Sequence, residues 1–101
     1  MTFEMIAGKL KEELTGIIES EKELNEYELI VFKYVFITEL KIPLFEDIGI
    51  EITEDSFILY IIPDDLEFDI LKKLSEVFCE FRITFMPNQY NIIKLRFQLG
   101  D

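Results

Sequence analysis

Residues 57–62 read Phe-Ile-Leu-Tyr-Ile-Ile, aromatic and aliphatic throughout and uncharged, the composition of a strand buried on both faces. Pro63 ends the run. Asp64 and Asp65 follow, either able to accept hydrogen bonds from the free amides of a first helical turn, and Glu67 and Asp69 suit the positive end of its dipole. Leu66, Ile70, Leu71, Leu74, Val77, Phe78 and Phe81 then recur at helical spacing, with Lys72, Lys73, Glu76 and Glu80 outside the apolar stripe. The pattern predicts a core-facing helix, not one lying on a membrane, whose polar face would be rich in Lys and Arg.

Upstream, Phe3, Ile6, Ala7, Leu10, Leu14, Ile17 and Ile18 predict a first helix with Thr2 as N-cap, ending near Ser20, and the charged run over 19–26 reads as its frayed end or a solvated turn. In residues 27–38, Tyr-Glu-Leu-Ile-Val-Phe-Lys-Tyr-Val-Phe-Ile-Thr, helix and strand compete. A helix here would be apolar all round, and Ile, Val, Phe and Tyr favour strands, so the segment is predicted as a strand. Residues 41–52 follow, with Pro43 at a strand start or edge and Ile48, Ile50 and Ile52 alternating with Gly49 and Glu51, a strand with one wet face. Thr53, Glu54, Asp55 and Ser56 form a four-residue turn into the central run. After the second helix, residues 82–86 are predicted as a short strand, 87–90 as a turn, and 91–99 as a final alternating strand with Ile93, Leu95, Phe97 and Leu99 on one face. The expected fold is a single α+β domain over residues 1–101 with a mainly antiparallel sheet and element order αβββαββ.

Two strands apolar on both faces require cover on both sides of the sheet. If the two helices share one side, the other is left bare, and a large bare apolar face marks an association surface. Its expected members are Ile30, Phe32, Tyr34 and Phe36 of the first apolar strand and Ile58, Tyr60 and Ile62 of the second, with a homodimer as the simplest assembly. If the helices lie on opposite faces instead, the chain covers its own sheet and association is not required.

Charge narrows the partners. The 101 residues carry a net charge of −11, with 20 acids and 7 bases in residues 1–81 against one acid and three bases in residues 82–101. Binding to nucleic acid or to anionic lipid depends on Lys and Arg displacing counterions, so neither is an expected direct partner. A protein with a basic surface is the natural complement, and solubility alone is the plainer explanation of the acidity. Cys79 stands alone, so no intramolecular disulfide can form, and its place beside Phe78 fits a small hydrophobe. The N-terminus interleaves charge with apolar residues and lacks the apolar core of a secretory signal, and the longest nearly uncharged segment, residues 29–38, is too short to span a membrane and contains Lys33. A soluble, cytoplasmic protein is expected.

Without histidine or tryptophan, the chain cannot build a Ser/His/Asp or Cys/His nucleophile, a His metal site or a His general base. Its four glycines, Gly8, Gly16, Gly49 and Gly100, are too scattered for a phosphate loop. Carboxylates remain: Glu46 with Asp47; Glu51 with Glu54 and Asp55; Asp64 with Asp65 and Asp69. Each could bind Mg²⁺ or Ca²⁺ or form an acid/base pair, yet each sits where turns and helix caps recruit acids for local hydrogen bonding, and none has EF-hand spacing. No catalytic residue, metal or cofactor is expected. Gln89, Ile92 and Leu95 match the opening of a sliding-clamp-binding motif, but the aromatic pair that should follow is missing, and strand alternation explains the Ile and Leu.

The expected element order resembles that of the class I chaperones of bacterial type III secretion, small acidic dimers with three strands between two helices and a further strand pair; this chain ends at Asp101 without their last helix. The resemblance implies a dimeric, protein-binding role. Three functions follow from the sequence: an acidic association module, chaperone- or adaptor-like; an acidic phage- or virus-type inhibitor that mimics nucleic acid and occupies a basic protein; and a metal-dependent carboxylate enzyme.

Overall fold

The computed structural model describes residues 2–45, 49–78, 81–85 and 92–98. Helix α1 (Phe3–Glu19) forms as its apolar period predicts: Thr2 Oγ1 accepts the Met5 amide at 3.3 Å, and Ala7, Leu10 and Leu14 are buried. Ser20 closes it by donating its amide to the Gly16 carbonyl.

The next segment overturns the predicted strand over residues 27–38. It is helix α2 (Glu26–Tyr34), continued by a wider π-turn over Val35–Glu39 in which the Leu40 amide reaches back to the Val35 carbonyl at 3.0 Å. Local hydrogen bonding overrides the β preference of the side chains. Asn25 Oδ1 accepts the Glu28 amide at 2.8 Å while Glu28 Oε1 accepts the Asn25 amide at 3.4 Å, a reciprocal capping box. Glu26 and Glu28 also lie at the positive end of the helix dipole. The element order is therefore ααββαββ, and the layout of three strands between two helices is absent.

Lys22 Nζ donates to Glu28 Oε2 at 2.8 Å. That bond, followed by the one from the Asn25 amide, holds the Glu28 carboxyl below its ordinary value of 4.5. A lowered folded-state value means that the contribution is present above the unfolded value and is lost as pH falls through the folded one. Asn25→Ala is expected to lower stability by about 1 kcal/mol. Urea titration checks this, and because the bond lost runs from the Glu28 amide to Asn25 Oδ1, neither of which titrates, the difference should persist at acid pH.

Four strands form one antiparallel sheet in the order β1 (Ile50–Ile52), β2 (Ser56–Ile61), β4 (Ile93–Gln98), β3 (Phe81–Phe85). Only the end of the predicted 41–52 strand is regular. Before it, the chain follows β2 irregularly: Leu44 bridges to Ile61, the Phe45 amide donates to the Tyr60 carbonyl at 2.7 Å, and the Tyr60 amide donates to the Gly49 carbonyl at 2.9 Å. Gly49 sits at φ 64, a left-handed conformation that a side chain would strain. The turn from Ile52 to Phe57 has the predicted length, held by Thr53 Oγ1, which lies 2.6 Å from Ser56 Oγ and accepts the Ser56 amide at 3.1 Å.

Helix α3 (Phe68–Val77) is shorter than its apolar pattern suggests. Asp64 and Asp65 lie in a 3-10 turn over Pro63–Asp65, so they do not cap it, and its N-cap Glu67 makes no side-chain capping bond. Leu66 is extended at φ −87, ψ 120, which separates the turn from the helix. At the other end Phe78 is extended at φ −104, ψ 102, turning its ring into the core and leaving Phe81 to open β3. Cys79, the Glu46–Asp47 pair, Ile48, the 87–90 turn and Gln89 lie outside the described residues.

All three helices pack on one face of the sheet. Phe57, Leu59 and Ile61 of β2 and Ile93, Leu95 and Phe97 of β4 meet Ala7, Leu10 and Leu14 of α1, Phe32 and Phe36 from α2 and its π-turn, and Ile70 and Leu74 of α3 in one core. At its centre the Phe57 ring stacks on Phe97 at 4.8 Å between centroids, meets Phe78 edge-on at 5.1 Å and lies 6.2 Å from Phe36.

A candidate association surface on the second helix

The second face of the sheet is not bare. Ile58 and Tyr60 are only 3% and 7% exposed, packed with Ile92 and Phe45 of the same chain. Burial, and then the nearby Glu51 carboxylate, push the Tyr60 phenol above its ordinary value. The case for association from an uncovered sheet face therefore fails at these two residues. Ile62, just beyond β2, is half-buried. Phe32 and Phe36 also belong to the core, because the segment that holds them is a helix and their side chains point at the sheet.

The same change of element exposes the other two expected members. Because α2 and its π-turn carry apolar side chains on more than one side, facing Phe32 and Phe36 inward turns Tyr27, Ile30, Val31, Tyr34 and Ile37 outward, at 74%, 58%, 43%, 59% and 39% exposure. Tyr27, Ile30 and Tyr34 follow the 3-4 spacing of an a/d seam along α2, and Ile37, in the wider π-turn, extends the exposed apolar strip. Ile30 and Tyr34 are thus brought together; Phe32, Phe36, Ile58, Tyr60 and Ile62 are not part of this surface. Val31 and Ile37, with the seam's first tyrosine, are members that the strand reading missed; the Asn25 to Glu28 capping pattern was the sequence signal for them.

Beside the seam, between α1 and α2, opens a groove of about 510 Å³ whose lining includes Leu10, Gly16, Ile17, Tyr27, Val31 and Val35. A larger recess of about 1030 Å³ lies where the end of α1 meets the β1–β2 turn, with Glu19, Glu21, Glu23, Glu54 and Asp55 on its rim beside Lys22. Among the described residues, no group of three or more His, Cys, Asp or Glu side chains is placed to hold a metal ion. Asp64, Asp65 and Asp69 are exposed, and Asp55 accepts from Arg96 Nη2 at 3.3 Å.

The outer sheet face carries a cluster of the opposite sign. Arg82 of β3 lies directly across from Arg96 of β4, with Lys94 paired to Thr84 one step along. Arg96 is held by Asp55 and by Ser56 Oγ, which accepts from Arg96 Nε at 3.1 Å. Like charges opposite one another on a sheet cost a few tenths of a kcal/mol. Arg82→Glu is therefore expected to raise stability by about 0.5 kcal/mol in low salt and by less in high salt, read as a shift in the urea midpoint.

The arrangement is that of a small acidic α+β domain with an apolar helical seam, and among the described residues no helix is long and apolar enough to cross a membrane. No family model, curated protein or solved structure matches the chain.

Proposed function

We propose that this chain is a non-enzymatic protein–protein association module, chaperone- or adaptor-like, with the outer face of α2 as its contact surface. The observation that carries this reading is the seam itself. Isolated exposed hydrophobics are ordinary on a protein surface, but here five large ones lie together on α2 and its π-turn, three of them at heptad spacing. They expose of order 500 Å² of side chain, at the upper end of what a monomer leaves uncovered. Most of the seam also lies in an acid-free run of a very acidic chain: of 21 acids, none falls between Leu29 and Thr38. The acids surround a contact surface and keep the free chain dispersed, while the seam stays free of like-charge repulsion. A reducing compartment such as the cytoplasm suits a chain with one cysteine.

The test is a photo-crosslinking amino acid placed at Ile30 in cells that carry the chain, with the same group at exposed Glu12 on α1 as control. Protein adducts from position 30 and none from position 12 are expected. Equal labelling at both, or no protein adduct at 30, contradicts the reading.

A further inference from the structure

Resting on the reading of this face as an association surface, we infer that its occupant is a second copy of the chain, the two α2 helices packing antiparallel about a two-fold axis. Ile30 then lies against the partner's Tyr34, and Tyr34 against the partner's Ile30.

Size is the first support. Stable interfaces begin at about 600 Å² from each partner, and the seam, of order 500 Å², is extended by the rim of the adjoining groove, which shares Tyr27 and Val31 with it, to the low end of that range. A two-fold dimer uses the same patch twice and needs no second surface.

Side-chain matching sets the direction. With the axis beside position 32, residue 30 meets 34, so the two central layers each set one tyrosine ring against one isoleucine. Parallel packing would instead set tyrosine on tyrosine and isoleucine on isoleucine.

Charge agrees. In a parallel pair Glu23, Glu26 and Glu28 of both copies would crowd one end. Antiparallel packing sends them to opposite ends, where each set faces the partner's Glu39 and Lys41 together instead of a second set of three glutamates. The two helix dipoles then also oppose each other.

The test uses single cysteines in the full chain carrying Cys79→Ser: Ile30→Cys, Tyr34→Cys, and Glu12→Cys as a collision control. Each is oxidised alone and in an equal mixture of the first two, and disulfide-linked peptides are identified by mass. The expected result is a 30–34 link in the mixture, several-fold above any self-link of either variant, and suppressed by excess chain lacking the new cysteines. Self-links of Ile30→Cys or Tyr34→Cys that match or exceed the mixed link overturn the antiparallel arrangement. Links no more frequent than those of the control overturn the second copy as occupant; adducts of position 30 with a different protein would then still support the wider reading.

Discussion

Glutamate at position 30 is expected to abolish self-association while leaving the fold intact. Ile30 has more than half its surface in solvent and is not part of the core, so Ile30→Glu removes little buried contact and its unfolding free energy should stay within about 0.5 kcal/mol of the wild type. In the dimer, by contrast, the two-fold axis doubles the damage: two carboxylates enter one apolar contact without cationic partners. An unpaired charge taken out of water costs several kcal/mol, so a loss of roughly 1,000-fold in dimer affinity is expected. Tyr34→Phe separates shape from polarity: it keeps the ring and should retain most of the affinity. A monomeric fold destabilised as much as the dimer would show that Ile30 supports the core instead.

Phe57→Ala is expected to bring the domain to the edge of unfolding. The ring is fully buried and meets Phe36, Phe78 and Phe97, joining the π-turn, the end of α3 and β4. Truncating such a ring costs about 3–5 kcal/mol through lost transfer energy and the cavity left behind. A domain of this size has a total of about 5–15 kcal/mol, so the thermal midpoint should fall by roughly 15–30 °C. A loss under about 1 kcal/mol would mean that neighbouring side chains close the cavity.

These two positions also mark what could be read along the chain. Phe57 lies in an uncharged run with proline just after it, and a central strand was the natural reading; the alternating strand through Ile93, Leu95 and Phe97 and the first helix with its Thr2 cap were equally plain. The sequence pattern also points to Ile30 as a surface residue, but on a sheet. Residues 27–38 have strand-like side chains and no polar face, and the deciding signal straddles their start, in the Asn25 to Glu28 capping box. Side-chain preference spans about 1 kcal/mol and yields to capping and packing. Once that segment is a helix, alternate residues no longer share a face, so Phe32 and Phe36 turn inward and Tyr27, Val31 and Ile37 join Ile30 and Tyr34 outside. The cover over Ile58 and Tyr60 was not legible, because it comes from Phe45 and Ile92, both outside any regular strand. Likewise Asp64 and Asp65 look like helix caps in sequence, but proline and an extended Leu66 confine them to a separate turn.

The most direct test of the α2 contact is sedimentation equilibrium of the wild type and of Ile30→Glu at physiological and at raised salt. Each chain weighs 12.0 kDa and carries a net charge of −11. A contact through a mostly acid-free seam predicts a wild-type species of twice that mass, tightened by salt as repulsion between the acidic bodies is screened, and a single-chain mass for the variant. Wild type at the single-chain mass throughout would contradict self-association through α2, and a dimer that salt dissociates, or that survives in the variant, would place the contact elsewhere.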